Sequence, residues 1–97
     1  MSDAKQARRY FISGSVQGVG FRYFAQNAAE KLHLSGFVCN LRDGRVEAFA
    51  CGTAKQLDEF RAALERGPRF SKVQHIVEEP AEIDPGASRQ FIITHQA

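Results

Sequence analysis

Tryptophan is absent from this chain of 97 residues, and methionine, cysteine and proline are rare. Apolar runs extend for only a few residues, which excludes a membrane-spanning helix of about 20 apolar residues. Neither sign of charge dominates, because 13 lysines and arginines face 11 acidic residues and leave a net charge of +2. This balance argues against the broad basic surface of a nucleic-acid-binding protein, although it is compatible with a local positive pocket.

The two cysteines, Cys39 and Cys51, lie in segments that read as the two strands of a hairpin. A direct pair across the hairpin requires a turn centred on residue 45, whereas the turn signal is Asp43-Gly44. We therefore predict two free thiols, in keeping with a cytoplasmic protein.

The first six residues are polar and lack the apolar core of a signal peptide. We expect residues 1–7 to be flexible, residues 8–97 to form a single domain, and the protein to be cytoplasmic. A monomer is the default expectation, although an exposed sheet edge would offer a route to a dimer.

Hydrophobic periodicity divides the chain into seven elements. Residues of high β-propensity predict strands over residues 8–16, 36–40, 45–51, 71–79 and 91–94. A first helix is predicted from residue 21, with one apolar face made of Phe21, Phe24, Ala25, Ala28, Ala29 and Leu32. A capping box of Thr53 and Gln56 opens a second helix, which buries Leu57, Phe60 and Leu64 and ends at Gly67-Pro68. Pro85-Gly86 predicts a turn before the last strand.

The predicted order is βαββαβ with a short C-terminal strand. Each helix offers one apolar stripe, and a sheet needs one face covered. The economical solution is an α+β two-layer sandwich, with two helices on one face of a mainly antiparallel sheet. This is the ferredoxin-like architecture.

A glycine-rich turn joins the first strand to the first helix, over residues 14–22. Such a turn gathers free backbone N–H groups and the positive end of a helix dipole around one point. Gly18 and Gly20 could also simply form an ordinary loop with no role in binding. The pattern is not a dinucleotide fingerprint, because Tyr23 stands where that pattern requires glycine, and it is not a P-loop, because no Gly-Lys-Ser/Thr follows.

Two side chains, those of Arg22 and Asn40, strengthen the hypothesis of an anion-binding site. Arg22 opposes the helix dipole unless a bound anion compensates, and its planar fork matches two phosphate oxygens. A solvated surface arginine is the alternative. Asn40 precedes a turn, where asparagine is common, but its amide could hold a water molecule beside a phosphate. Asn40 should face away from Phe37 and Cys39.

Two segments resemble the signatures of the acylphosphatases. The first is Val16-Gln17-Gly18-Val19-Gly20-Phe21-Arg22, and the second is Gly36-Phe37-Val38-Cys39-Asn40 followed by Asp43-Gly44-Arg45-Val46 and Gly52. Both occur at the separation found in the family, and the resemblance extends over residues 8–94.

The resemblance implies a metal-independent hydrolase that converts acyl phosphates to a carboxylate and inorganic phosphate, without a cofactor. It implies that Arg22 holds the phosphoryl group together with the backbone N–H groups of Gln17, Gly18, Val19, Gly20 and Phe21. It also implies that Asn40 orients the attacking water. Inorganic phosphate is then both product and inhibitor.

Other residues add little to this site. His33, His75 and His95 are scattered, so no metal site is predicted. Phe21 and Phe24 should pack in the core rather than contact substrate. Cys39 and Ser15 stand where the family has a longer or basic residue and an arginine, which should reduce positive charge near the site.

Two other functions remain open from the sequence. The run of glycines and aromatics over residues 18–24 superficially resembles those of RNA-binding modules, although its phenylalanines continue into a helical stripe. A non-catalytic domain could also use the same turn to sense phosphorylated metabolites.

Overall fold

The computed structural model describes residues 4–83 and 89–95. Its elements are β1 (Gln6–Ser15), α1 (Phe21–Lys31), β2 (Ser35–Asn40), β3 (Val46–Gly52), α2 (Ala54–Arg66), β4 (Lys72–Ala81) and β5 (Phe91–Ile93). All seven predicted elements are present, in the predicted order. The predicted turn at Pro85-Gly86 lies outside the described residues.

Three strands are longer than the sequence suggested, and β2 gains only Ser35 at its start. β1 begins at Gln6, and its residues Gln6 and Ala7 already pair with β3, so the expected flexible segment can extend only to residue 5. Ala7 is buried between the two neighbouring strands. β4 runs on to Ala81, because its last residues continue the ladder beside the start of β1.

The five strands form one sheet in the order β4-β1-β3-β2-β5. The first four strands pair antiparallel, and β5 adds to β2 in parallel. Both helices pack on the same face, where their apolar stripes join one core cluster with the sheet. The predicted ferredoxin-like α+β sandwich is therefore confirmed.

Alternate residues of the central strands face the helices. Val46, Ala48 and Ala50 of β3 are fully buried, and the two alanines leave room for the larger side chains above them. Tyr10 meets Phe60 edge to face at 5.5 Å, and its hydroxyl donates to the backbone oxygen of Leu57 at 3.2 Å. Burial raises the pKa of Tyr10 to about 12.

The two helices begin differently. At α2 the predicted capping box is confirmed, since Thr53 Oγ1 accepts from Gln56 N at 3.2 Å and Gln56 Oε1 accepts from Thr53 N at 2.9 Å. At α1 the N-cap is Gly20, which has no side chain and makes no side-chain cap. Of the two helices, only α2 therefore has a side-chain cap at its N-terminus.

The opposite face of the sheet carries aromatic residues that arginines cover. Phe37 stacks on Phe49 with ring centroids 5.6 Å apart, and the Arg9 guanidinium lies over both rings. Arg45 lies over the ring of Phe11, with 5.1 Å from its Cζ to the ring centroid. Arginine side chains therefore cover part of the half-buried aromatic surface on this face.

Three connections meet at one end of the sheet, because β1, β2 and α2 all run towards it. They are the turn after β1, the turn between β2 and β3, and the loop between α2 and β4. We call residues 14–22, 40–46 and 67–73 together the cradle end. Neither helix has the length and apolarity that a membrane crossing requires within the described ranges.

Candidate active site

The turn after β1 bends sharply over residues 17–20 before α1 begins. Gly18 and Gly20 have φ angles of 75° and 77°, in the left-handed region that costs other residues roughly 1–2 kcal/mol. A Cβ built at either position meets nothing within 4 Å. The backbone angle, rather than crowding, therefore explains the two glycines.

The backbone N–H groups of this turn are unpaired. Within the part of the chain that the structure describes, none from Gln17 to Arg22 donates a hydrogen bond to another residue. The first turn of α1 also carries no acidic residue. Unpaired donors at the positive end of a helix dipole attract an anion, and nothing in the described protein neutralises them.

Arg22 lies in the first turn of α1 and is half-buried. Its guanidinium makes no ion pair and no hydrogen bond with any described residue. A cation at this end of a helix costs roughly 0.3–1 kcal/mol in the absence of a counter-charge. The arginine therefore adds positive charge to a turn that is already electropositive.

Asn40 is the last residue of β2 and shares a face with Val38, the face that the helices cover. Phe37 packs against Phe49 on the other face, so Asn40 points away from it as predicted. The Asn40 Oδ1 is buried and accepts no hydrogen bond within the described residues. An orphaned buried acceptor costs about 1–3 kcal/mol, so this oxygen is suited to a water molecule or a ligand donor.

Burial raises the pKa of the Cys39 thiol above its ordinary value of 9.0, whereas a hydrogen bond with Thr94 and the charge of Arg22 act in the opposite direction. Both cysteines are free, as predicted, because Cys39 lies opposite Glu47 and Cys51 opposite Ser35.

The side chain of Gln17 is a feature that the sequence did not reveal. Its Nε2 donates to the backbone oxygens of Leu41 at 2.8 Å and Arg45 at 2.9 Å. These two bonds tie the glycine-rich turn to the turn that follows Asn40. The sequence pointed only to the backbone of Gln17. The one available signal was that Gln17 is a long amide side chain among small loop residues. This signal did not indicate which groups the amide would bond to.

The structure also tests the expectation that Phe21 and Phe24 pack in the core. Phe21 is 2% exposed and belongs to the core, and Phe24 packs beside it with ring centroids 6.1 Å apart. Among the described residues, no group of three histidine, cysteine or acidic side chains could hold a metal ion.

Comparison with known proteins identifies the family of this chain. The acylphosphatase family model matches residues 8–93. The chain is 51% identical over 78 residues to the acylphosphatase of Solibacter usitatus (strain Ellin6076), covering 80% of this chain and 81% of that protein.

Solved structures give the same result. The crystal structure of acylphosphatase from Bacillus subtilis is 41% identical, has a TM-score of 0.86, and is matched over 94% of this chain and 99% of that one. An acylphosphatase from Coxiella burnetii is 31% identical, has a TM-score of 0.87, and is matched over 93% of each chain. Similarity in sequence, in fold and along nearly the whole chain leads to one conclusion: this protein belongs to the acylphosphatase family.

Proposed function

We propose that this protein hydrolyses acyl phosphates without a metal ion, and that Arg22, Asn40 and the turn of residues 17–21 carry out the reaction. Family membership supports acyl phosphate hydrolysis in general. The observation that most supports these residue roles is the orphaned Asn40 Oδ1 at the same end of the sheet as a turn of unpaired N–H groups.

In this proposal the phosphoryl group sits in the glycine-rich turn. The N–H groups of Gln17, Gly18, Val19, Gly20 and Phe21 donate to its oxygens, and the Arg22 guanidinium adds a bidentate pair of charged hydrogen bonds. These donors are fixed before the substrate arrives. They stabilise the charge that develops on the phosphoryl oxygens without reorganising during the reaction.

Asn40 positions the nucleophile. Its Oδ1 accepts a hydrogen bond from a water molecule, whose oxygen attacks phosphorus. The bond from phosphorus to the acyl oxygen breaks, and the acyl group leaves as a carboxylate with the electron pair of that bond. The two protons of water end on the phosphate, so R–CO–O–PO₃²⁻ and H₂O give R–COO⁻ and H₂PO₄⁻. A carboxylate is a good leaving group, so positioning and charge stabilisation suffice without a strong general base.

The test is hydrolysis of benzoyl phosphate in the presence of a chelator, followed by its ultraviolet absorbance. We expect turnover by the wild-type protein and a loss of roughly 10²–10³-fold for Arg22→Ala and Asn40→Ala. Matched controls are Arg66→Ala and Asn27→Ala, whose side chains are exposed on helix surfaces. Inorganic phosphate should inhibit competitively.

Two outcomes would contradict the proposal. Full activity of either site variant removes that residue from the mechanism, and dependence on added metal removes metal independence. Competitive binding of phosphate with no hydrolysis would instead support a domain that senses phosphorylated metabolites.

We also propose that the protein is a monomer and does not bind nucleic acid. The edge strand β4 carries Pro80 and exposed charges such as Lys72 and Glu79, which disfavour edge-to-edge pairing. Light scattering during gel filtration measures the mass. A dimer at micromolar concentration contradicts this part of the proposal.

A further inference from the structure

Positive charge is concentrated at the cradle end. Its three segments contain five cationic residues, Arg22, Arg42, Arg45, Arg69 and Lys72, and a single acidic residue, Asp43. This gives the cradle end a net charge of +4, whereas the whole chain has +2. The rest of the protein is therefore net negative, and the weak overall charge conceals a polarised molecule.

Three arginines elsewhere in the described chain are paired with carboxylates, whereas most of the cations at the cradle end are not. On the sheet, Arg8 pairs with Asp58 and Glu78, and Arg9 pairs with Glu47. At the cradle end, the one ion pair among described residues is Arg45 with Asp43, 2.8 Å apart.

Two cations follow α2, Arg69 in the α2–β4 loop and Lys72 at the start of β4, and both are free to attract an anion. Lys72 has no carboxylate partner in the described chain, and Arg69 lies over the ring of Phe70, 5.8 Å from its centroid. The nearest acidic residue on α2, Glu65, bonds back to Arg61 at 3.3 Å. The positive charge of this loop is therefore not neutralised by its neighbours.

The α2–β4 loop starts beside the first residue of α1 and ends beside the last residue of β1. A Cβ built at Gly67 would lie 3.2 Å from the Cε2 of Phe21, the first residue of α1, and Lys72 pairs with Ser15 at the end of β1. Ser71 fixes the loop, since its N and Oγ donate to the Pro68 oxygen at 3.0 and 2.7 Å.

Phe70 projects from this ordered loop and is 80% exposed, an unusual position for a large apolar side chain. Together with Arg69 and Lys72 it gives the loop an apolar surface flanked by two positive charges. Such a surface suits a ligand that has both a hydrocarbon part and a negative group.

Reaction geometry directs the acyl group towards this loop. In phosphoryl transfer, the attacking and leaving oxygens lie roughly in line on opposite sides of phosphorus. In the sheet, β1, which leads into the glycine-rich turn, pairs with β4 on one side and with β3 on the other, and β2 lies beyond β3. A water molecule held by Asn40 approaches from the β2 side, so the leaving carboxylate departs on the β4 side.

We propose that the α2–β4 loop recognises the acyl part of the substrate, and that Arg69 and Lys72 favour acyl phosphates whose acyl part carries a further negative charge. Phe70 contacts the hydrocarbon portion. This inference rests on the proposed function, and it assigns specificity to residues outside the phosphate-binding turn.

A matched pair of substrates tests this preference: benzoyl phosphate and 4-carboxybenzoyl phosphate. The wild-type protein should have the higher kcat/KM for the carboxylated compound. Arg69→Gln and Lys72→Gln should each reduce the ratio of the two kcat/KM values by about two- to fivefold, the range for single exposed charges. Added salt should reduce the ratio as well. Phe70→Ala should lower kcat/KM for both substrates alike.

The control is Lys55→Gln, an exposed lysine at the opposite end of α2, which should leave the ratio unchanged. The inference is overturned if the wild-type protein has no preference, or if Arg69→Gln and Lys72→Gln leave the ratio at its wild-type value.

Failure of the proposed function has a different signature, namely no hydrolysis of benzoyl phosphate by the wild-type protein. Binding of the two corresponding phosphonates, followed by amide shifts in NMR spectra, then tests the loop alone. Shifts over residues 69–72 specific to the carboxylated analogue support the inference, and their absence refutes it.

Discussion

Replacing Gln17 with alanine should reduce activity far more than stability. The Gln17 side chain makes the two bonds that join the glycine-rich turn to the turn after Asn40, at 2.8 and 2.9 Å. Under the proposed mechanism, the first turn holds the phosphoryl group and Asn40 holds the water. Their separation sets the distance over which the water attacks, and that distance is sensitive at the level of about 1 Å.

The loss of stability should be small. Neither acceptor is orphaned, because Leu41 O also accepts from Gly44 N at 3.2 Å and Arg45 O also accepts from Leu41 N at 2.8 Å. Two hydrogen bonds contribute roughly 1–3 kcal/mol, and the entropy recovered by releasing an exposed glutamine offsets part of this. We expect a net loss of about 1 kcal/mol and a fall in Tm of roughly 4–8 °C.

Activity should fall about 10- to 100-fold in kcat for benzoyl phosphate, because a displacement near 1 Å has an effect of this size. With a typical stability of at least ~5 kcal/mol, a loss of 1 kcal/mol leaves well under about 1% of the protein unfolded. Unfolding therefore cannot account for such a fall. Circular dichroism measures Tm on the same samples.

Gln26→Ala is the matched control, since its Nε2 also donates to a backbone oxygen, that of Phe91 at 3.2 Å. It breaks one hydrogen bond rather than two, so it should lower stability by a similar or smaller amount and leave kcat unchanged. The reasoning is refuted if Gln17→Ala retains wild-type kcat, or if Gln26→Ala loses as much activity.

Three further predictions concern stability. Thr53→Ala breaks the capping box with Gln56 and should lower the free energy of unfolding by about 0.5–2 kcal/mol, measured by urea denaturation, with kcat unchanged. Phe60→Ala removes a fully buried ring that meets Tyr10 and Phe91, and it should cost about 3–5 kcal/mol in the same assay; a loss below ~1 kcal/mol would contradict the packing. A hydrogen bond from the backbone of Arg45 lowers the pKa of Asp43 below its ordinary value of 3.8, so the stabilisation of this turn is present above pH 3.8 and lost as the pH falls through the lower, folded value. The amide shift of Arg45 should follow that titration, and a midpoint above 3.8 would contradict it.

Much of the fold could be predicted because its signals are local. The helical stripe that starts at Phe21 and the pairing of Thr53 with Gln56 depend on residues three or four positions apart, which the sequence displays directly. Element boundaries were less accurate at the ends of β1 and β4. There, pairing between Ala7 and Ala81, which are 74 positions apart in the chain (81 − 7), extends each strand beyond its own hydrophobic pattern.

The candidate site divides in the same way. Gly18, Gly20 and Arg22 lie within five consecutive residues, so the sequence alone indicates the electropositive turn. The sequence does not show that the Asn40 Oδ1 lacks a hydrogen-bond partner, because this depends on how the helix layer packs over β2. The family resemblance is the source of the water-orienting role proposed for Asn40, and the structure adds the burial of its Oδ1.

The sequence by itself determined the order of elements, the ferredoxin-like class, the two free thiols and the turn suited to an anion. Each follows from the composition, the periodicity or the backbone preferences of neighbouring residues. Only the tertiary structure decided that Gln17 bonds to residues 24 and 28 positions away. It alone placed Lys72 opposite Ser15, at the end of the strand that leads into the glycine-rich turn. Such contacts between distant segments depend on strand order and on packing, because the spacing of residues along a chain does not fix their distance in the folded molecule.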